Sequence, residues 1–231
     1  MRDVVDESLS RRVREPAFNA PWPVLTLITA LVAAHAVRVF TGSGIEGLAL
    51  NDQSLNHGEV APLVTYLFLH GSWAHVLMNS VFVLAFGAPV ARFFGLGLRG
   101  AAAFLGLFLI CGIIAALGYA GWLRAITALH PAPAGWALVG ASGAAAGLMG
   151  AAARLMEGRG RLGSIGGRRV IGMTLTWIAA NALLGLSGLT PGAAGLPVAW
   201  EAHIFGYFAG LLLAGPLGLV AGVSRDQTFA P

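Results

Sequence analysis

The stretch Val139–Leu155, "VGASGAAAGLMGAAARL", decides how this chain is read. It is too apolar for a loop in water, yet it carries one hydroxyl, Ser142, fenced by Gly140, Gly143, Gly147 and Gly150. Such a span must be buried, and the rest of the composition says in what. The 231 residues are 57% hydrophobic and 10% charged, with 33 glycines, which leaves too little polar surface to coat a soluble globule of that size. The chain therefore reads as a membrane protein, with the lipid bilayer as its surroundings. A sequence pI near 10.2 would ordinarily suggest nucleic acid. All 14 basic residues are Arg, however, and they fall in short clusters between apolar spans, so the pattern is one of topology and no nucleic-acid partner is expected. The single cysteine, Cys111, lies mid-span and excludes an intrachain disulfide or a CxxC metal site.

Working outward, charged residues mark the span edges, because an Arg or Asp at a helix centre costs about 3 kcal/mol on insertion scales. A crossing needs roughly 20 apolar residues. Three uncharged runs overshoot one crossing, and each is broken by a turn signal: "HGS" at His70–Ser72, "HPAPAG" after Leu129, and "GLTPGAAGLP" after Ser187. Ser72 is the expected N-cap of the span that follows it. Six spans result, roughly 22–40, 72–91, 100–122, 138–154, 169–187 and 200–222, the signature of an all-α polytopic membrane bundle. Residues 1–21 and 223–231 are read as N-terminal and C-terminal tails around a membrane domain over 22–222. Ala34-His35-Ala36 has the form of a signal-peptide cleavage site, but the apolar run continues to Phe40, and an uncleaved first helix is preferred. Most arginines (2, 11, 12, 14, 92, 99, 154, 159, 161, 168, 169, 225) fall on one side, opposed only by Arg38 and Arg124, so the positive-inside rule puts both termini in the cytoplasm.

In this topology the second, fourth and sixth spans enter from outside, and each carries its unusual polar residues in its first half. Asn79 is 13 residues before Arg92 and Ser142 is 12 before Arg154, so helical rise puts both roughly 18–20 Å above the inner edge. His203 enters from the same outer surface, and His75 shares a helix face with Asn79 at i and i+4. Taken singly these residues have ordinary readings as packing glycines or interhelical hydrogen bonds. At one depth they suggest nucleophilic catalysis, because a serine is a weak nucleophile until a base takes its proton and His203 is placed to be that base. Gly147 on the fourth span, with Gly206 and Gly210 at i+3 and i+7 from His203, would let two helices approach closely enough for the pair to meet. The Ser142 and Gly143 amides, with His75 and Asn79, are candidate oxyanion donors. Glu201 points about 200° away from His203 on a helix, so a Ser-His dyad is expected rather than a triad. His35, His57, His130 and Ser164 are read as structural or solvated.

Three motifs in order then carry a resemblance. "FLHGSWAHVLMNS", "GASG" and "EAHIFGYFAG" resemble the His-x-x-x-Asn, Gly-x-Ser-Gly and His-x-x-Gly-x-x-x-Gly motifs of the rhomboid intramembrane serine proteases, over about Phe68 to Leu213. The resemblance implies a six-helix rhomboid fold, with Ser142 as nucleophile, His203 as general base, and His75 and Asn79 as oxyanion donors. It further implies transmembrane-helix substrates cut near their outer end, a bacterial inner membrane location, and neither cofactor nor metal. The chain departs from the family pattern at Ala146, where an aromatic is frequent; at Ala91 and Arg92, where a Glu is frequent; and in its first outer loop, which lacks a Trp-Arg pair. With Ala146 in place of a ring, Tyr207 is expected to pack beneath the His203 imidazole. Rival readings are a proteolytically silent rhomboid-like protein that binds transmembrane helices, a rhombosortase-like processing protease, and a small transporter. A transporter would spread its polar residues through the whole membrane depth.

Overall fold

The structure, a computed structural model, describes residues 20–45, 47–129, 135–187, 198–224 and 226. The chain runs through α1 (Trp22–Thr41), β1 (Leu50–Asn51), α2 (Asp52–Asn56), α3 (Pro62–Thr65), a 3-10 turn at Tyr66–Phe68, α4 (Trp73–Phe94), α5 (Leu98–Leu129), β2 (Ala137–Leu138), α6 (Ser142–Glu157), α7 (Arg168–Ser187) and α8 (Trp200–Ala221). Among the described residues five helices are long and apolar enough to cross a membrane: α1, α4, α5, α7 and α8. With α6 they form an all-α membrane bundle, and each falls on one of the six sequence spans. Parts of both expected tails lie outside the described residues, as do His130 and the "GLTPGAAGLP" break.

The helix starts follow from local chemistry. Ser72 caps α4, its hydroxyl accepting the His75 amide at 3.1 Å, which satisfies one of the donors a helix N-terminus leaves open. Helix α1 ends on Gly42 with φ 67°, the left-handed conformation glycine supplies at a C-cap. Arg38, in the last turn of α1, donates from Nη2 to the His70 carbonyl at 2.7 Å, which ties α1 to the loop ahead of α4 and gives this opposing arginine a fixed partner.

Two elements differ from the sequence expectation. Helix α5 runs on to Leu129 and has 32 residues, about 48 Å, well beyond a hydrocarbon core of about 30 Å. A charge ends a membrane crossing but does not end a helix. Arg124 lies on the extension, where it donates to Asn56 Oδ1 at 2.7 Å and pairs with Asp52 at 3.5 Å, fastening the first loop to α5. Arg154, expected at a solvated edge, is instead buried: its Nε donates to the Gly163 carbonyl at 3.0 Å and Nη1 to the Leu211 carbonyl at 3.2 Å. The guanidinium holds the α6–α7 turn and α8 together.

Helix α6 is the centre of the bundle, packing against α4, α5, α7 and α8, with every residue from Gly143 to Leu155 buried. Nine of its sixteen residues are Gly or Ala, and this composition brings its backbone against α8. A Cβ on Gly206 would collide with the Gly143 carbonyl, one on Gly210 with the Gly147 carbonyl, and one on Gly150 with the Tyr207 carbonyl. Cβ atoms at Gly143 and Gly147 would run into Ala115 and Cys111 of α5. Helices α6 and α8 meet backbone to backbone because their contact faces lack side chains, and small α5 side chains fill the space against α6.

Gly210→Val should therefore force α6 and α8 apart. Overpacking of this kind costs roughly 1–3 kcal/mol, and the expected outcome is a lower midpoint of thermal unfolding in detergent. A variant as stable as the parent would show that the close approach is not required.

Candidate active site

The loop entering α6 is fixed before the serine is reached. Strand β2 pairs antiparallel with β1, Leu138 opposite Leu50, and the Gly140 amide donates to the Tyr66 carbonyl at 2.9 Å. The Tyr66 hydroxyl in turn donates to the Gly112 carbonyl of α5 at 2.7 Å. Gly140 has φ 112°, a conformation costly for any residue with a Cβ. A Cβ there would also stand 2.9 Å from the His75 ring and 3.7 Å from Asn79 Nδ2. The glycine thus turns the chain into α6 while letting the backbone lie against both α4 side chains. Ser142 becomes the first residue of α6 rather than one turn inside a longer helix, because the extended residues 137–138 are taken up by the strand pair.

Ser142 Oγ lies 2.8 Å from His203 Nε2. Both line a cavity of about 420 Å³, together with His75, Met78, Tyr119 and Trp136. Asn79 is buried, and its Nδ2 is a donor with no hydrogen-bond partner among the described residues. Gly143, in the first turn of α6, has an amide without an acceptor inside its own helix. Of the site residues expected from the sequence, Ser142, His203, His75 and Gly143 line the cavity, Asn79 lies behind its Gly140 wall, and Gly147, Gly206 and Gly210 are in the helix contact behind it. Among the described residues no three His, Cys, Asp or Glu side chains are grouped as metal ligands would be. His35 is buried, its ring edge-on to Trp73 at 4.7 Å between centroids, while His57 and Ser164 are exposed.

The restraint on the imidazole does not come from Tyr207, as the sequence reading expected. Tyr207 is buried with Ala146, Met149, Val170 and Leu211, and its hydroxyl is 3.0 Å from Thr174 Oγ1. An i+4 relation fixes a residue's face on its own helix, and that face of α8 meets α7 and the lower part of α6. The imidazole is held from α7 instead. Asn181 Oδ1 lies 2.7 Å from His203 Nδ1, and the Trp177 ring is tilted 37° to the imidazole at 6.1 Å between centroids. Neither residue stood out in the sequence. The available signal was a lone amide in the apolar run "WIAANALLG", since a polar side chain within a membrane helix needs a partner. Glu201 is turned elsewhere, bonded to Trp122.

An intramembrane serine and histidine in contact, at the head of a buried glycine-rich helix, define a class of polytopic membrane protein. The Rhomboid domain matches residues 57–219 of this chain, more than half its length, and the chain belongs to the rhomboid family. Rhomboids are generally intramembrane serine proteases, and some members are inactive. A search of curated proteins found no match to the chain.

The occupied space around Ala146 generates a prediction. A phenyl ring added at this position, 1% exposed among Tyr207, Met149 and Trp177, must displace them. Ala146→Phe should destabilise the protein by roughly 1–3 kcal/mol, read as a lower thermal midpoint in detergent. An unchanged midpoint would mean that the pocket can take a ring.

Proposed function

We propose that this rhomboid is an active intramembrane serine endopeptidase that cleaves transmembrane-helix substrates near the outer end of their membrane span. The observation that carries this reading is the 2.8 Å contact between Ser142 Oγ and His203 Nε2 at the wall of a cavity, with a buried donor that has no hydrogen-bond partner among the described residues, Asn79 Nδ2, behind Gly140 of that wall. A silent helix-binding relative needs neither feature.

In this mechanism His203 Nε2 accepts the Ser142 proton as Oγ attacks the scissile carbonyl carbon. The negative charge moves to the carbonyl oxygen, where Asn79 Nδ2, the His75 ring and the Gly143 amide offer donors. The helix dipole of α6 has its positive end at the same point. His203 then returns the proton to the leaving amine, and water, activated by the same nitrogen, releases the acyl group. The arginine distribution favours a site toward the outer face and both termini in the cytoplasm, and the family resemblance implies a bacterial inner membrane.

Labelling of detergent-solubilised protein with a fluorophosphonate probe tests this reading. The parent should label, and Ser142→Ala and His203→Ala should lose both labelling and cleavage of a model transmembrane substrate while remaining folded. A parent that does not label, or turnover in either variant, would overturn it in favour of the helix-binding reading. Asn79→Ala should lower kcat by about 10²-fold to 10³-fold, the usual loss on removing one oxyanion donor, with a smaller effect on KM. A change confined to KM would make Asn79 a substrate-binding residue.

A further inference from the structure

We propose that Asn181 of α7 is a positioning residue that fixes the tautomer of His203, so that Nδ1 carries the proton and Nε2 is left to receive the one from Ser142. The proposal rests on the serine-protease reading for its consequences in catalysis, but the tautomer itself is a property of the resting protein.

The far end of the Asn181 amide fixes its orientation. Asn181 Nδ2 lies 2.9 Å from the carbonyl oxygen of Trp177, one helical turn earlier. A backbone carbonyl only accepts, so the group facing it must be the NH₂, and this orients the whole side chain. Oδ1 is then the group 2.7 Å from His203 Nδ1. A carbonyl oxygen also only accepts, so Nδ1 must donate. A neutral imidazole has one ring proton; with that proton on Nδ1, the lone pair is on Nε2, 2.8 Å from the serine oxygen. The chain of polarity is therefore directional, from a main-chain carbonyl on α7 to the hydroxyl on α6. In the opposite tautomer two lone pairs would face each other at 2.7 Å, and the serine oxygen would accept a hydrogen bond from Nε2 instead of donating one. Asn181 is 1% exposed, so water cannot relieve that mismatch, and a buried mismatch of this kind is costly.

An amide does this without charge. A carboxylate at position 181 would also accept from Nδ1, but it would add a buried negative charge beside the ring and favour the imidazolium. Among the described residues the other titratable groups around His203 are His75 on α4, Tyr119 on α5, Ser142 on α6 and Glu201 on its own helix. Helix α7 brings no charged side chain to it, and a change at 181 would act on a ring whose other neighbours are unaltered.

Two measurements test the proposal. The first is ¹⁵N NMR of histidine-labelled protein in micelles, with the His203 signals identified by their loss in His203→Ala. The expected result in the parent is a protonated Nδ1 and an unprotonated Nε2, with that preference lost in Asn181→Leu. A parent ring protonated on Nε2, or an unchanged tautomer in Asn181→Leu, overturns the proposal whether or not the protein cleaves anything. The second is the pH dependence of single-turnover cleavage. Asn181→Leu should lower kcat by roughly 10-fold to 10²-fold, at or below the usual contribution of a general base, with KM little changed. Asn181→Asp should recover part of that loss and shift the acidic limb of the profile to higher pH. If Leu and Asp variants lose activity equally with no displaced limb, Asn181 is only a packing residue. An inactive parent with the expected tautomer would sink the protease reading alone.

Discussion

The backbone-to-backbone contact between α6 and α8 is the constraint on which the rest of the bundle depends. Lipid tails are as apolar as leucine, so two membrane helices gain little from hiding apolar side chains from lipid, and association rests on packing and polar contacts. Gly150 on α6, and Gly206 and Gly210 on α8, remove the side chains that would hold these two axes apart, while Gly143 and Gly147 let α5 close on α6. Only at that separation can a side chain as short as serine reach an imidazole on the neighbouring helix. The glycines are as much a part of the site's geometry as the two residues that touch.

The other wall of the site is built by different means. Where α6 and α8 use absence of side chains, the entry to Ser142 is held by a relay of backbone hydrogen bonds: Gly140 to Tyr66, and Tyr66 through its hydroxyl to Gly112. The β1–β2 pair adds a second fastening above it. These bonds bring the loop against the start of α4, where His75 and Asn79 lie. The cavity is thus bounded on one side by rigid helix packing and on the other by a loop tied to β1 and to the Tyr66 carbonyl. A site built this way is preorganised, which is how a small number of donors becomes effective.

Much of this was legible in the sequence because a membrane imposes a simple rule on charge. Arg and Glu marked where spans end, and Ser142, Asn79 and His203 then fell at one depth by counting residues. The rule failed at Arg154, where two main-chain carbonyls take the place of solvent, and at Arg124, where the helix continues past the membrane edge. It had no purchase on Asn181 and Trp177. Their importance comes from which helix faces α8, and a period of 3.6 residues describes one helix at a time. Tyr207 was misassigned for the same reason: its place on α8 was read correctly, but the neighbour it meets was not.

The buried position of α6 bears on how the protein is made. The helix has sixteen residues, mostly glycine and alanine, with an arginine inside it. It is too short and too weakly apolar to be a favourable lipid-facing helix on its own, and one of the two carbonyls that receive the Arg154 guanidinium belongs to α8. During synthesis α8 emerges after α6. Helix α6 must therefore wait, beside α4 and α5 or within the insertion machinery, until α8 arrives to complete its surroundings. Serine and histidine sit on these two helices, so the site cannot assemble on a partly made chain. Biogenesis thereby delays any activity of the site until α8 is in place.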